Sequence, residues 1–446
     1  MATHGHSERP QLLMSLQRCW QFCSQTEMLL HRANLGMSKI QSEGASPKAS
    51  SGTKTPASTQ RDIPVAIYLL GLTIFTLTTS EFMVVGMMPS LTGVFGVTVA
   101  DIGYLISLYA VGMVVGGPIL TALFVALQVP NKQALLWLLA LYSVGGIIAA
   151  TAGSYQVMAI ARVVTGVAGS ACIGISLAIC GEVVRTELRG RASSIVLSGM
   201  MLATVLGVPA ATVIDQNLGW RSSFWLVVVL TITCSLIVLT LIPASRNTSN
   251  TRLSDQLASF RNGKLWAAYA TSALIIGAAY AAFSYISAIL TEVTGFIPAI
   301  VPILLGLYGA ANVIGNTITG RFSDRYTFTV LTVGLSVLAA ALLIFALFPE
   351  SRSISVIAFM IIGIVGVPMS PAMITRVMRV ANAGPLVNSV HVSVINSGLA
   401  FIAWAGGLTI NAGYGLISPL WIGFILAIIA LFSLAPRSVR TSMEST

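Results

Sequence analysis

Long apolar runs, separated by short polar stretches, dominate the chain from residue 64 onward. Each run holds about 20 residues, enough to cross a hydrocarbon core of roughly 30 Å as a helix. The pattern predicts helices over 64–88, 101–124, 134–153, 156–181, 192–214 and 222–243, and a second set over 265–290, 299–321, 327–348, 353–376, 388–411 and 415–435. The expected fold is an all-α membrane protein of twelve transmembrane helices. Before them, "SEGASPKASSGTKTPASTQRD" is rich in Ser, Thr and Pro and reads as unfolded. "PQLLMSLQRCWQFCSQTEMLLHR" has the composition of an amphipathic helix and lacks the apolar core and cleavage site of a secretory signal.

Shifted by 199 positions, "LTGVFGVTVADIGYLISLYAVGMVVG" from Leu91 falls on "LTEVTGFIPAIVPILLGLYGAANVIG" from Leu290. Six crossings return a chain to its starting side, so the repeat implies two six-helix bundles of equal orientation, related by a pseudo-two-fold axis. Parallel halves of this kind place a binding site near the bilayer midplane between them. The expected organisation is a cytoplasmic tail over 1–63, a first bundle over 64–243, a linker over 244–264, a second bundle over 265–435 and a tail over 436–446. Met37 is an alternative start, in which case residues 1–36 are not translated.

Composition agrees: 9% of residues are charged and mean hydropathy is +0.87, whereas soluble domains carry about 25% charge. The net charge of +10 would suit a nucleic-acid partner, but its placement does not. With loops assigned alternately to two sides, one side collects Lys132, Arg185, Arg189, Arg191, Arg246, Arg252, Arg261, Lys264, Arg321, Arg325, Arg376, Arg379, Arg437 and Arg440. The other receives Arg221 and Arg352. The positive-inside rule then puts both termini in the cytoplasm and makes the partner a lipid bilayer. Cys19, Cys23 and His31 match no zinc spacing, so neither metal nor cofactor is expected. Cys172, Cys180 and Cys234 sit in apolar runs as small core residues.

Within "TLTTSEFMVVGMMP", Glu81 is the sole formal charge between Pro64 and Met88. A carboxylate at bilayer depth is costly and ordinarily faces a water-filled or protein-lined interior. Arg162 opens "RVVTGVAGS" and shares a helical face with Gly166, Gly169 and Ile173. A guanidinium beside Glu81 would make its protonation depend on conformation; the alternative is an Arg snorkelling to the nearer surface. Polar residues at helical spacing supply candidate substrate contacts: Thr76 and Ser80, with Thr73; Tyr280 and Ser284, with Ser287; Asn312 and Asn316; and Asn396. Such residues also simply bond neighbouring helices. His391, near one helix end, reads as structural or interfacial. Gly199, Ala203, Gly207 and Ala210 form a small-residue stripe, and Pro209 weakens that helix locally.

Taken together, "TTSEFMVVGMMP", "RVVTGVAGS", "LGVPAATVIDQNLGWRSSFW", "LTEVTGF" and "GNTITGRFSDR" resemble a major facilitator superfamily transporter over about residues 64 to 436. Within that superfamily they are most similar to the drug–proton antiporter group of bacterial sugar-efflux and chloramphenicol-efflux proteins. The resemblance makes Glu81 and Arg162 a proton-coupling pair and the stripe around Gly199, Ala203, Gly207 and Pro209 the antiporter motif. "GRFSDR" resembles a cytoplasmic gating loop, in which a tight turn after Gly320 presents Asp324 beside Arg321 and Arg325. The first half departs from it: Val125 and Ala126 stand at the Asp and Arg positions, so any latch there is weakened or made differently. The implied activity is proton-coupled efflux of a small organic solute such as a sugar, nucleoside or drug. The implied protein is a monomer of the bacterial inner membrane. Uptake by symport or facilitation, and a non-transporting receptor, remain as alternatives. No P-loop, G-x-S-x-G elbow or H-E-x-x-H motif occurs, so neither an ATP-driven pump nor an enzyme of those classes is expected.

Overall fold

The computed structural model describes residues 63–184, 188–242, 260–380 and 385–434. The expected tails, most of the linker, and Cys19, Cys23 and His31 lie outside the described residues. Each apolar run becomes one helix. In the first half these are α1 (Val65–Gly86), α2 (Val99–Phe124), α3 (Asn131–Ala150), α4 (Tyr155–Val183), α5 (Arg191–Leu218) and α6 (Trp220–Leu241). The second half holds α7 (Gly263–Val293), α8 (Pro298–Ser323), α9 (Arg325–Leu347), α10 (Arg352–Val380), α11 (Val390–Tyr414) and α12 (Ser418–Leu434). The first eleven are long and apolar enough to cross a membrane, and α12 is a shorter apolar helix.

The 199-residue repeat is visible in the backbone. Non-helical residues interrupt the chain at Met87 (φ −94°, ψ 4°) and at Tyr285 (φ −119°, ψ 13°). A short helical segment follows each break, Met88–Phe95 in the first half and Ile286–Val293 in the second. Each segment ends at a left-handed glycine, Gly96 (φ 62°) and Gly295 (φ 75°), one shift apart in sequence. A side chain disfavours that conformation, so both halves keep glycine there. Thr98 then caps α2: its hydroxyl accepts from the Asp101 N–H at 3.2 Å, and the Asp101 carboxylate accepts from the Thr98 N–H at 2.9 Å.

Within the first half, small residues let backbones approach closely. A Cβ on Gly166 of α4 would fall 2.2 Å from the Tyr109 carbonyl of α2. One on Gly199 of α5 would fall 2.1 Å from the Gly71 carbonyl of α1, and one on Gly207 would fall 2.0 Å from Thr79 Oγ1. Pro209 has no N–H to donate to the carbonyl four residues back. Here α5 answers with a π-turn over Ala203–Gly207, in which the Val208 N–H reaches back to the Ala203 carbonyl. The wider turn continues the buried stripe through Ala211, while Ala210, the expected fourth member, is exposed. That corrects the stripe at its last position.

The connections at the basic ends of the two halves differ. In the first half α2 stops and the chain turns through Gln128 in the left-handed region (φ 52°) before α3. Asn131 Nδ2 donates to Glu182 Oε1 at 2.6 Å, and Lys132 Nζ donates to the terminal carbonyls of α6, Leu239 at 2.9 Å and Ile242 at 2.5 Å. A cation there also complements the helix dipole. In the second half, α8 and α9 are two helices that meet at a kink centred on the non-helical residue Tyr326 (φ −123°, ψ 39°). The turn expected after Gly320 comes at Tyr326, one residue beyond the GRFSDR stretch, where helical backbone first breaks.

Candidate functional site

Glu81 lies in the last third of α1, and the run Thr76–Met88 is buried throughout. The side chain of Glu81 is 6% exposed and that of Arg162 on α4 is 1% exposed. Arg162 does not snorkel. Its Nη1 donates to the Ser80 carbonyl and its Nη2 to the Glu81 carbonyl, both at 2.8 Å, while Nε reaches the Leu105 carbonyl of α2 at 3.5 Å. The guanidinium carbon lies 4.2 Å from the Tyr109 ring centre, a cation–π contact. Tyr109 and Tyr142 hydroxyls are 3.4 Å apart, and Tyr142 donates to the Leu77 carbonyl at 3.3 Å. The guanidinium thus grips the backbone of α1 around Glu81, and the Glu81 carboxylate is not among the acceptors of these bonds.

The same stretch of α1 faces the second half. Phe82 stacks on Tyr280 of α7, ring centres 5.4 Å apart, and meets Phe283 edge-on at 5.7 Å. The rings continue through Tyr308 of α8 at 4.9 Å to Phe359 of α10 at 4.4 Å. Tyr280 is within electrostatic reach of Glu81. Beside this ladder, the hydroxyls of Ser284, Ser287 and Tyr308 are buried without a hydrogen-bond partner. Glu81 therefore sits at the seam between the halves, next to a wall of rings with unclaimed donors.

Other links across the seam are Thr98 Oγ1 to Asn411 Oδ1 at 3.2 Å, Ser107 Oγ to the Ala400 carbonyl at 2.8 Å, and Gln216 Nε2 to the Pro298 carbonyl at 2.8 Å. Tyr285 donates to the Ala403 carbonyl at 2.5 Å and its ring end fills the space over Gly103 of α2 and Gly407 of α11. All of these lie at mid-depth or toward the end where α1 finishes, the distal end.

Not every candidate residue reaches the seam. Thr76 donates to the Leu72 carbonyl at 2.9 Å and lies 4.0 Å from Cys234 Sγ of α6, so it packs inside the first half. Ser80 contributes its carbonyl to Arg162. Asn312 and Asn396 donate to carbonyls of their own helices, Tyr308 at 2.9 Å and Val392 at 3.0 Å. Asn316, one turn beyond Asn312, is half-buried. His391 bonds Ser272 Oγ at 2.9 Å and stacks on Tyr269 at 5.5 Å within the second half, a structural role. Gly320, Arg321 and Arg325 are exposed on α8 and α9, with the Arg325 guanidinium over Tyr326 at 5.3 Å; the side chain of Asp324 lies outside the described residues.

One buried charge escaped the sequence reading. Asp215 is 5% exposed, and Glu81, Arg162 and Asp215 are the buried acidic and basic side chains among the described residues, His391 aside. Ending the fifth helix at residue 214 left Asp215 in a loop, whereas α5 runs on to Leu218 and stops at Gly219 (φ 82°). That glycine, a common helix terminator, was the available signal.

Residues 70–403 match the family model of the Major Facilitator Superfamily. The chain is 30% identical over 387 residues to the chloramphenicol resistance protein of Streptomyces lividans, spanning 85% of this chain and 98% of that one. It is 30% identical over 380 residues to the inner membrane transport protein YdhP of Escherichia coli (strain K12), spanning 84% and 97%. Among solved structures, a variant of the nucleoside transporter NupG superposes with a TM-score of 0.68 at 13% identity, over 83% of this chain and 98% of that one, a likeness of fold.

Proposed function

We propose, proceeding from the premise that this chain belongs to the Major Facilitator Superfamily and is a multi-pass membrane transporter rather than an enzyme, that it exports a small organic solute in exchange for protons. The observation that carries this reading is the setting of Glu81: a buried carboxylate at the seam, on a stretch of α1 gripped by Arg162, beside rings contributed by the other half. Protonating Glu81 removes its charge, so each proton bound alters the relative free energies of the states open at either end. A solute that competes with that proton is carried out as the proton comes in.

The charge bias of the loops assigns the basic end and both termini to the cytoplasm of a bacterial cell. The links at the distal end then correspond to an inward-facing state. Glu81 releases its proton inward in that state and is reloaded after the distal seam parts. The α8–α9 segment with Gly320, Arg321, Asp324 and Arg325 gates the cytoplasmic side. In the first half, Asn131 and Lys132 take over that task by tying the α2–α3 turn to the ends of α4 and α6. Tyr280, Ser284, Asn312, Asn316 and Asn396 line the solute path, and the protein works as a monomer. Neutral or weakly charged solutes suit a seam whose guanidinium is already engaged by backbone carbonyls. Because a relative is named a chloramphenicol resistance protein, chloramphenicol is the first probe, followed by nucleosides and sugars.

The decisive experiment measures proton release by the purified protein on adding chloramphenicol, wild type against Glu81→Gln. Release is expected from the wild type and less from the variant; undiminished release from the variant rules Glu81 out as the coupling group. Accumulation in everted vesicles under an imposed pH gradient distinguishes export from uptake by symport.

A further inference from the structure

Asp215 takes no part in the machinery above. Its Oδ2 accepts a hydrogen bond from Ser90 Oγ at 2.7 Å, and its Oδ1 is buried with no partner. A carboxylate offers only acceptors, and leaving one buried without a donor is costly. Among the described residues, no opposite charge is paired with it. Of the elements packed around this end of α5, the Met88–Phe95 segment carries no charge and α1 carries only Glu81. Through its described length up to Gly320, α8 carries none. On α6, Arg221 is engaged elsewhere: its Nη2 donates to the Ala152 carbonyl at 3.0 Å and its guanidinium lies 4.5 Å from the Trp220 ring centre.

The location is as informative as the chemistry. Gly86 of α1 abuts Thr212, where an added Cβ would fall 1.9 Å from Thr212 Oγ1. Asp215, a turn further along α5, is therefore displaced from Glu81 toward the distal end. Its neighbour Gln216 makes the bond to Pro298 that joins the halves. Asp215 is thus one residue from a contact that closes the distal seam.

We propose that Asp215 is a second proton-binding site on the distal side of Glu81. A proton from water at the distal mouth binds Oδ1 when the seam parts, giving a neutral carboxyl that Ser90 still donates to at Oδ2. Closure buries the group with its proton on. Its place in a transport cycle rests on the proton-coupled reading above, but its titration does not.

Infrared difference spectra of the purified protein in lipid nanodiscs, recorded against pH without any solute, test this. The wild type is expected to show protonated-carboxyl C=O absorbance that Asp215→Asn, isosteric and able to keep a Ser90 contact, diminishes. Ser90→Ala keeps that component and moves it to higher frequency, since the donated hydrogen bond is gone. Spectra of Asp215→Asn and wild type that superimpose at every pH overturn the proposal. Glu81→Gln is read separately: if it removes no component, the coupling role of Glu81 fails while the Asp215 assignment stands. With an exported solute in hand, Asp215→Asn is expected to halve the protons released per solute bound.

Discussion

A guanidinium carries five N–H donors and no acceptor, so burying one requires a set of carbonyls or carboxylates disposed around it. Arg162 finds carbonyls on two helices and a tyrosine face. Lysine has no planar fork, so Arg162→Lys cannot reproduce the paired bonds to Ser80 and Glu81. The variant is expected to transport at least about ten-fold more slowly, the equivalent of about 1.4 kcal/mol, at wild-type abundance in vesicles. Transport at the wild-type rate would show that the grip on α1 is dispensable. At this scale the sequence was partly legible. Lone charges in apolar runs pointed to Glu81 and Arg162, because their cost has to be offset somewhere. The partner of Arg162 was not legible, since it depends on how α4 is rotated against α1, which no local pattern encodes. The packing of Thr76 was hidden for the same reason: its stripe was visible, but which neighbour the stripe met was not.

Helices in this molecule depart from regularity where their residues demand it. In α5, Pro209 forces the π-turn over Ala203–Gly207, and Gly207 lets that turn lie against Thr79 of α1. Gly207→Val places carbon where Thr79 Oγ1 already sits, and overpacking of this kind costs about 1–3 kcal/mol. A melting temperature lower by several degrees in detergent is the expected result, and an unchanged melting curve would mean that α1 and α5 separate freely at that point. The small-residue stripe was legible from spacing alone, up to the position where the extra residue of the π-turn moved burial from Ala210 to Ala211. The helix count and the repeat were legible because apolar length and the glycines at 96 and 295 are set locally. That α8 and α9 are separate helices was legible too, but the place of the bend between them, at Tyr326 beyond Arg325, was not.

Across the whole molecule, the two halves are held together through the distal seam, where the Tyr285 ring lies over Gly103 and Gly407. A methyl on Gly103 would fall 2.0 Å from the Tyr285 hydroxyl, so Gly103→Ala opposes this closure without touching Glu81 or Arg162. A bias of about 1–3 kcal/mol shifts a two-state balance by roughly 5- to 150-fold. Spin-label distances across the distal end are expected to lengthen in that variant, and an unaltered distribution would show that Tyr285 is not part of the closing contact. The unequal connections at the basic end have a consequence for enzymes that cut polypeptides. Exposed turns are the preferred sites of nicking, because a protease must draw the chain out as an extended strand. The first hairpin offers such a turn, with Leu127 63% exposed beside the left-handed Gln128. The corresponding hairpin of the second half departs from helical backbone at a single described residue, Tyr326. Of these two matching hairpins, a broad-specificity protease acting from the basic face should sever the first faster than the second.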